Sequence, residues 1–365
     1  MAEKSARLLS LDAFRGLTIA AMILANNPGS WDRVYWPLRH AAWHGWTPTD
    51  LIFPFFLVIV GVAIPLALGR RKAEGIRAAG LIAKIVSRAV IIFSLGLLLN
   101  LVPKFNPATL RIPGVLQRIA ICYLIASLLY LKGNWKVRAT AAVLLMAVYW
   151  LAMKLIPVPG YGAGDLSLAG NLCGYIDRNL MGSHLYLAGF DPEGVLSTLP
   201  AIASTLLGVL AGEWLRSRWS LVTKWAGLWV AGTFAAAAGI FLHPLMPINK
   251  QLWTPSFVLF TAGAALLLFG LCYLVIDGIR FKVWAVPFLV FGTNAIVVYV
   301  GASLMAKIIQ TVSVGGTTLK DWIYGHLFVP WAGPLNGSLA FAIVFVLFWL
   351  AVAFPLYVKK IFIRI

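Results

Sequence analysis

The stretch from Asp50 to Gly69, DLIFPFFLVIVGVAIPLALG, decides the fold. Beyond its first residue it carries no charged side chain. Its length matches the roughly 20 residues that an α-helix needs to cross a hydrocarbon core of about 30 Å. Runs of the same kind recur along the 365 residues, and the chain is 61% hydrophobic with only 12% charged residues. A soluble domain carries about 25% charged residues. A barrel is excluded as the reading, because barrel strands are segments of about 10 residues with alternating polarity and these runs are continuous. The expectation is an all-α polytopic membrane protein with about ten transmembrane helices, one domain over residues 1–365, and no separate soluble domain. The expected spans are 11–27, 50–69, 78–101, 114–131, 139–156, 197–215, 225–242, 256–276, 283–305 and 338–357.

The formal net charge of +18 would suit a nucleic-acid binder, but the placement of Lys and Arg gives it another meaning. Lys4 and Arg7 precede the first span. Alternate loops then hold Arg70, Arg71, Lys72 and Arg77; Lys132, Lys136 and Arg138; Arg216, Arg218 and Lys224; Arg280 and Lys282. Lys359, Lys360 and Arg364 follow the last span. The opposite loops are longer and poorer in basic residues. By the positive-inside rule both termini are cytoplasmic, and no nucleic-acid partner is expected. The N-terminal run begins like a signal peptide, but Asp12 and Arg15 interrupt it, so a retained first helix is expected. The cysteines, Cys122, Cys173 and Cys272, are too scattered for a disulfide framework or a zinc site.

This orientation puts the segment before Asp50, LRHAAWHGWTPT (38–49), at the outer face together with 157–196 and 306–337. Arg15, Lys84, Arg88 and Arg118 are basic residues inside expected spans. A charge at the centre of a span costs about 2.5–3.5 kcal/mol even on the mildest scale, so such residues need partners. Asp12 shares a helical face with Arg15. Lys84 is placed to snorkel. Asn26 and Asn27 end the first helix, where one of them can cap it. Asn294, near mid-span in FGTNAIVVYV, needs a polar partner. Outer-face candidates are Asp50, Asp191, Glu193 and the run PINKQLWTPS (247–256), with Asn249, Lys250 and Trp253. Asp191 and Glu193 suit a helix N-terminus, and Asp50 or Thr49 suits the cap of the second span. His184, His243 and His326 sit in separate outer loops and read as surface residues. His40 and His44 are four apart, but Gly45 makes a helical metal pair unconvincing, and no metal is expected. PGVLQRIAICYLIASLL (113–129) and EGVLSTLPAIASTLLG (193–208) echo one another weakly. There is no G-x-S-x-G, P-loop or G-x-G-x-x-G. At this level a transporter and an intramembrane enzyme are equally good readings.

A resemblance separates them. SLDAFRGLTIAAMILANNPG, RHAAWHGWTPTDLIFPFFLVIVGVAI, RIPGVLQRIA, EGVLSTLPAIAS, INKQLWTPSFVLFTAG and FGTNAIVVYV together resemble, in order, the heparan-α-glucosaminide N-acetyltransferase family, most of all its bacterial members. The resemblance implies transfer of an acetyl group from cytosolic acetyl-coenzyme A to the amine of a glucosamine residue at the outer face. It implies a bacterial inner membrane location and a homodimer. The family's active-site histidine falls on His40 and its asparagine on Asn26; Asn27 departs from the aromatic residue usual in the animal proteins. A histidine titrates near neutral pH and suits a general base, and an Asn amide can serve a developing oxyanion. The cofactor phosphates would meet Arg15, Lys84 and Arg88, with Arg118 and Asn294 as further candidates for that ligand. The sugar would meet Asp50, Glu193, Asn249, Lys250 and Trp253. His40 would act as base or as a transient acetyl carrier. The alternative is a transporter or flippase for an amino-sugar.

Overall fold

The structure is a computed structural model, which describes residues 8–73, 75–103 and 105–363. The basic residues Lys4, Arg7 and Arg364 of the charge pattern lie outside the described residues, as do the side chains of Arg70 and Lys72. In chain order the helices are α1 (Leu9–Asn26), α2 (Ile52–Ala73), α3 (Ala78–Leu101), α4 (Val115–Lys132), α5 (Trp135–Leu155), α6 (Leu172–Met181) and α7 (Thr198–Arg216). They continue as α8 (Leu221–Phe241), α9 (Pro255–Cys272), α10 (Val286–Thr293), α11 (Ala295–Thr311), α12 (Leu319–Ile323) and α13 (Val329–Val358). Two hairpins lie in segments expected at the outer face: β1 (Pro157–Val158) with β2 (Gly162–Ala163), and β3 (Ser313–Val314) with β4 (Thr317–Thr318). The turn of the second is Gly315-Gly316, both at positive φ, as a two-residue hairpin favours.

Among the described residues nine helices are long and apolar enough to cross a membrane, and ten spans are reached if one bent pair is counted as a single span. The chain is thus a multi-pass membrane protein. One expected span is corrected: 283–305 is not a single helix. It breaks at Asn294 into α10 and α11, bent by 73°. Asn294 sits at φ −126°, ψ 37°. Its side chain is taken by backbone outside the helix, donating to the Ile361 carbonyl at 3.0 Å and accepting from the Ile363 amide at 3.0 Å. Short amide side chains compete with the helix ladder in this way.

The described chain divides into two compact units. The first is drawn from residues 1–39, 219–230 and 266–364. In it α1 packs on α10 and α13. The crossing with α10 depends on two glycines: a Cβ on Gly16 would strike the Phe288 carbonyl, and one on Gly292 the Asp12 carbonyl. Arg15 ties the same crossing, with an ion pair to Asp12 at 3.1 Å and a hydrogen bond to the Gly292 carbonyl at 3.3 Å. The second unit is drawn from 40–218 and 231–265. There α2 packs along α7, α3 on α4, and α5 on α7. Gly61, Gly208 and Gly212 line the α2–α7 seam, each Cα close to the carbonyl of the facing helix. Small residues of this kind let helices approach closely where water does not drive them together.

Candidate active site

One polar site of the second unit is built around the turn that starts α2. Thr47 is the N-cap and Asp50 the third residue of a short 3-10 turn, Pro48–Leu51, that leads into the helix; the two form a reciprocal capping box. The cap is therefore Thr47 with Asp50, not Thr49. One oxygen of Asp50, Oδ2, accepts from the Thr47 amide at 3.0 Å, the Thr47 hydroxyl at 3.1 Å and the Ala41 amide at 3.0 Å. The carboxylate is almost fully buried. Its other oxygen, Oδ1, faces His40: Nδ1 of the ring lies 2.7 Å away. A carboxylate only accepts, so Nδ1 carries the proton and Nε2 presents a lone pair. No hydrogen bond engages Nε2 among the described residues.

The loop after α8 closes this site. Gly45, at φ +94°, donates its amide to the Ile248 carbonyl at 2.8 Å. The neighbouring Asn249 is fully buried and braces its own loop, accepting from the Leu252 amide at 2.8 Å. Its Nδ2 lies 3.2 Å from His44 Nδ1. The docking delivers Lys250: its Nζ lies 3.2 Å from Asp50 Oδ1 and 3.0 Å from His40 Nδ1. Burial pushes the Lys250 pKa down, against the pull of Asp50 and Glu193. Burial, with the charge of His243 added, also lowers that of His44. Nδ1 of His243 accepts from the Ile248 amide at 3.0 Å, so this histidine fixes the same loop. His184 and His326 lie against the Leu110 and Trp322 carbonyls. Among the described residues no cluster of three or more His, Cys, Asp or Glu could hold a metal.

Behind this corner lies a buried polar layer. Trp253 is buried, with its indole N–H on the Ser204 hydroxyl at 3.1 Å. The Arg118 guanidinium lies 5.1 Å from its ring centroid and donates to the Gly194 carbonyl at 3.2 Å and the Ser197 hydroxyl at 2.5 Å. The two segments that echo each other in sequence are thus joined by Arg118. Asp177 of α6 holds the same loop from the other side, accepting from the Val195 amide at 2.9 Å. Burial and the nearby Asp191 raise the Asp177 pKa to about 6, against the pull of the Val195 amide and of Arg118.

Asp191 and Glu193 do not serve a helix N-terminus. Both engage Arg111, Asp191 through two hydrogen bonds at 2.9 and 2.7 Å. Burial opposes the Arg111 charge, but the two carboxylates outweigh it and hold its pKa above the usual value. Arg111 and Thr47 are the residues that sequence reading missed. The carboxylate pair DPE (191–193) was a visible signal that a cation was needed; nothing local identified which.

The remaining candidates are dispersed. Asn27, not Asn26, caps α1, its amide donating to the Ile23 carbonyl at 2.8 Å. Asn26, the last residue of α1, is exposed and makes no side-chain hydrogen bond among the described residues. Lys84 and Arg88 are exposed on α3 and make no ion pair among the described residues; Arg88 lies over the Tyr123 ring at 5.0 Å. Arg15 and Asn294 are engaged within the first unit as described above.

Comparison with known proteins gives this arrangement a context. Residues 7–246 match the family model described as heparan-alpha-glucosaminide N-acetyltransferase, catalytic. Two curated relatives carry the name heparan-alpha-glucosaminide N-acetyltransferase. The human (Homo sapiens) protein is 30% identical over 98% of this chain and 60% of its own length. The mouse (Mus musculus) protein is 30% identical over 82% of this chain and 54% of its own length. The chain therefore spans somewhat more than half of the relatives it matches. His40, Asp50 and Asn26 fall inside the family match, whereas Asn249, Lys250, Trp253 and Asn294 lie beyond its end. With two thirds of its length under the family model, the chain belongs to the heparan-alpha-glucosaminide N-acetyltransferase catalytic family.

Proposed function

We propose that this protein is a transmembrane N-acetyltransferase that moves an acetyl group from acetyl-coenzyme A, supplied from the cytosol, to the amine of glucosamine or a glucosamine-containing saccharide at the outer face of a bacterial inner membrane. The observation that carries this reading is the His40–Asp50 pair, in which Asp50 holds Nδ1 and leaves Nε2 open. An ammonium must lose a proton before it can attack a thioester, and a positioned imidazole of fixed tautomer supplies the base. Asn26 is proposed as the donor to the developing oxyanion; removal of one such donor costs about 2.7–4 kcal/mol of barrier. Lys84 and Arg88 are proposed for the cofactor phosphates, with Arg15, Arg118 and Asn294 the less favoured candidates because protein groups already engage them. Glu193 stands in the same position for the sugar, since Arg111 engages its carboxylate. Asn249 and Trp253 support the loop, and their part is to shape the sugar site.

The test is coenzyme A release by the purified protein in detergent, given acetyl-coenzyme A with and without glucosamine. Release should require the sugar and should vanish in His40→Ala. In Asp50→Asn it should fall by about 10²–10⁴-fold, the usual scale of a general acid–base contribution, because the wrong ring nitrogen then carries the proton. Full turnover in His40→Ala would remove the histidine from the mechanism. Acetyl-His40 trapped without sugar would select a two-step route over direct transfer. The broken α10–α11 span favours one other reading, since discontinuous helices are common in transporters. Glucosamine accumulating in vesicles without acetyl-coenzyme A would establish it.

A further inference from the structure

We propose that Lys250 acts through His40, as the store for the proton that the ammonium substrate sheds. This rests on the acetyl-transfer reading. The overall change is R–NH₃⁺ + acetyl–S–CoA → R–NH–acetyl + CoA–SH + H⁺: the nitrogen loses two protons, the sulfur gains one, and one reaches water. A lone imidazole holds one proton at a time. If it keeps the first as imidazolium, its Nε2 is filled when the second must leave.

The geometry supplies a second station. Nδ1 of His40, Asp50 Oδ1 and Lys250 Nζ form a compact triangle, with Nδ1 2.7 Å from Oδ1 and 3.0 Å from Nζ, and 3.2 Å between Oδ1 and Nζ. Nε2 takes a proton from the ammonium, and Nδ1 passes its own to the lone pair of Lys250. The new Lys250 ammonium pairs with Asp50 Oδ1, 3.2 Å away, and His40 is neutral again with its proton on Nε2. The free amine forms the C–N bond as the C–S bond breaks. Nε2 gives its proton to the departing sulfur and takes the second from nitrogen. At the end Nδ1 recovers the proton stored on Lys250, and Nε2 releases one to water.

A store must arrive neutral and must not be locked as an ammonium by its surroundings. The charged and titratable groups around Lys250 are Asp50 and His40 from the turn before α2 and Glu193 from the loop before α7, with His44 and His243 flanking its own loop. Glu193 is already neutralised by Arg111. Asp50 Oδ1, 3.2 Å away, pulls Lys250 toward the ammonium, but burial outweighs that pull and shifts the balance toward the free amine. An arginine cannot serve, because it is never deprotonated in a protein.

The experiment compares wild type, Lys250→Arg and Lys250→Met in detergent by kcat/KM for glucosamine across pH, with thermal melting alongside. Near neutral pH both variants should be slower by about 10²-fold. The deficit should close as pH rises past the substrate's own ammonium pKa, about 7.7–8.0 for an α-amino group, because the amine then arrives free. Wild-type rates in Lys250→Arg would overturn the proposal, since the ion pair with Asp50 alone would suffice. A deficit of the same size at every pH would overturn it too, as the mark of a merely structural loss. Lys250→Arg carries the test if Lys250→Met loses its melting transition. A wild-type protein that releases no coenzyme A at any pH removes the transferase reading itself, a different failure.

Discussion

A single carboxylate, Asp50, closes the cap of α2 with one oxygen and orients His40 with the other. Capping and the proposed chemistry thus meet at one residue, and the cap holds in place the oxygen that faces His40. Asp177 shows the opposite case, a carboxyl group that the fold holds at a cost. It is fully buried, accepts one amide through Oδ1, and leaves Oδ2 without a hydrogen bond among the described residues. Its pKa rises from 3.8 to about 6, burial being the largest cause. The protonated form is the one the fold favours. Below both values the group costs nothing; as pH rises through about 6 the folded state must accept the buried charge and loses stability. Asp177→Asn keeps an acceptor for the Val195 amide and never ionises. It should melt higher than the parent above the folded pKa and converge with it at acid pH, with about 2–4 °C for each kcal/mol recovered. Parallel melting curves across that range would show that Asp177 does not titrate with folding.

Among the elements, the seam between α2 and α7 bears the closest packing of the second unit. Gly208 and Gly212 lie one turn apart on α7 and face the carbonyls of Val58 and Val62 on α2. In lipid, close backbone approach and dispersion hold helices together, since the surrounding tails are as apolar as the side chains. Gly208→Ile would force the helices apart. Overpacking of this kind costs about 1–3 kcal/mol or more, and here it also shifts the start of α2, where Asp50 sits. The expected result is a lower melting temperature in detergent with loss of coenzyme A release. Gly301→Ile is a companion at another tight approach, against the Trp349 ring. It should lower stability with a smaller effect on turnover, because its seam does not carry the Asp50 turn. Equal stability of Gly208→Ile and wild type would show that the seam can relax.

For the whole molecule, the distribution of Lys and Arg predicts an orientation in which both termini and the loops at 70–77, 132–138, 216–224 and 280–282 are cytoplasmic. The three native cysteines are buried, so introduced ones give a clean signal. In intact spheroplasts an impermeant thiol reagent should label Ser313→Cys and not Trp219→Cys, both positions being exposed. Inside-out vesicles should reverse the pattern. The opposite labelling would put His40 on the cytosolic side and deny it an external sugar.

The sequence by itself determined that the chain crosses a membrane, where the spans lie, and which loop holds the histidine. Span length and hydropathy are local properties, because every backbone group in lipid must be satisfied within its own segment. Only the tertiary structure decided what His40 meets. Its partner Asp50 is ten residues away, a spacing that no helical or strand period connects, and Lys250 is 210 residues away. The same holds for Arg111, whose carboxylates lie 80 and 82 residues further on, and for the break at Asn294, which depends on backbone 67 residues downstream. Such pairings depend on which loops the packed helices bring together. That is set by close packing between segments distant in the chain, and no local pattern of residues records it.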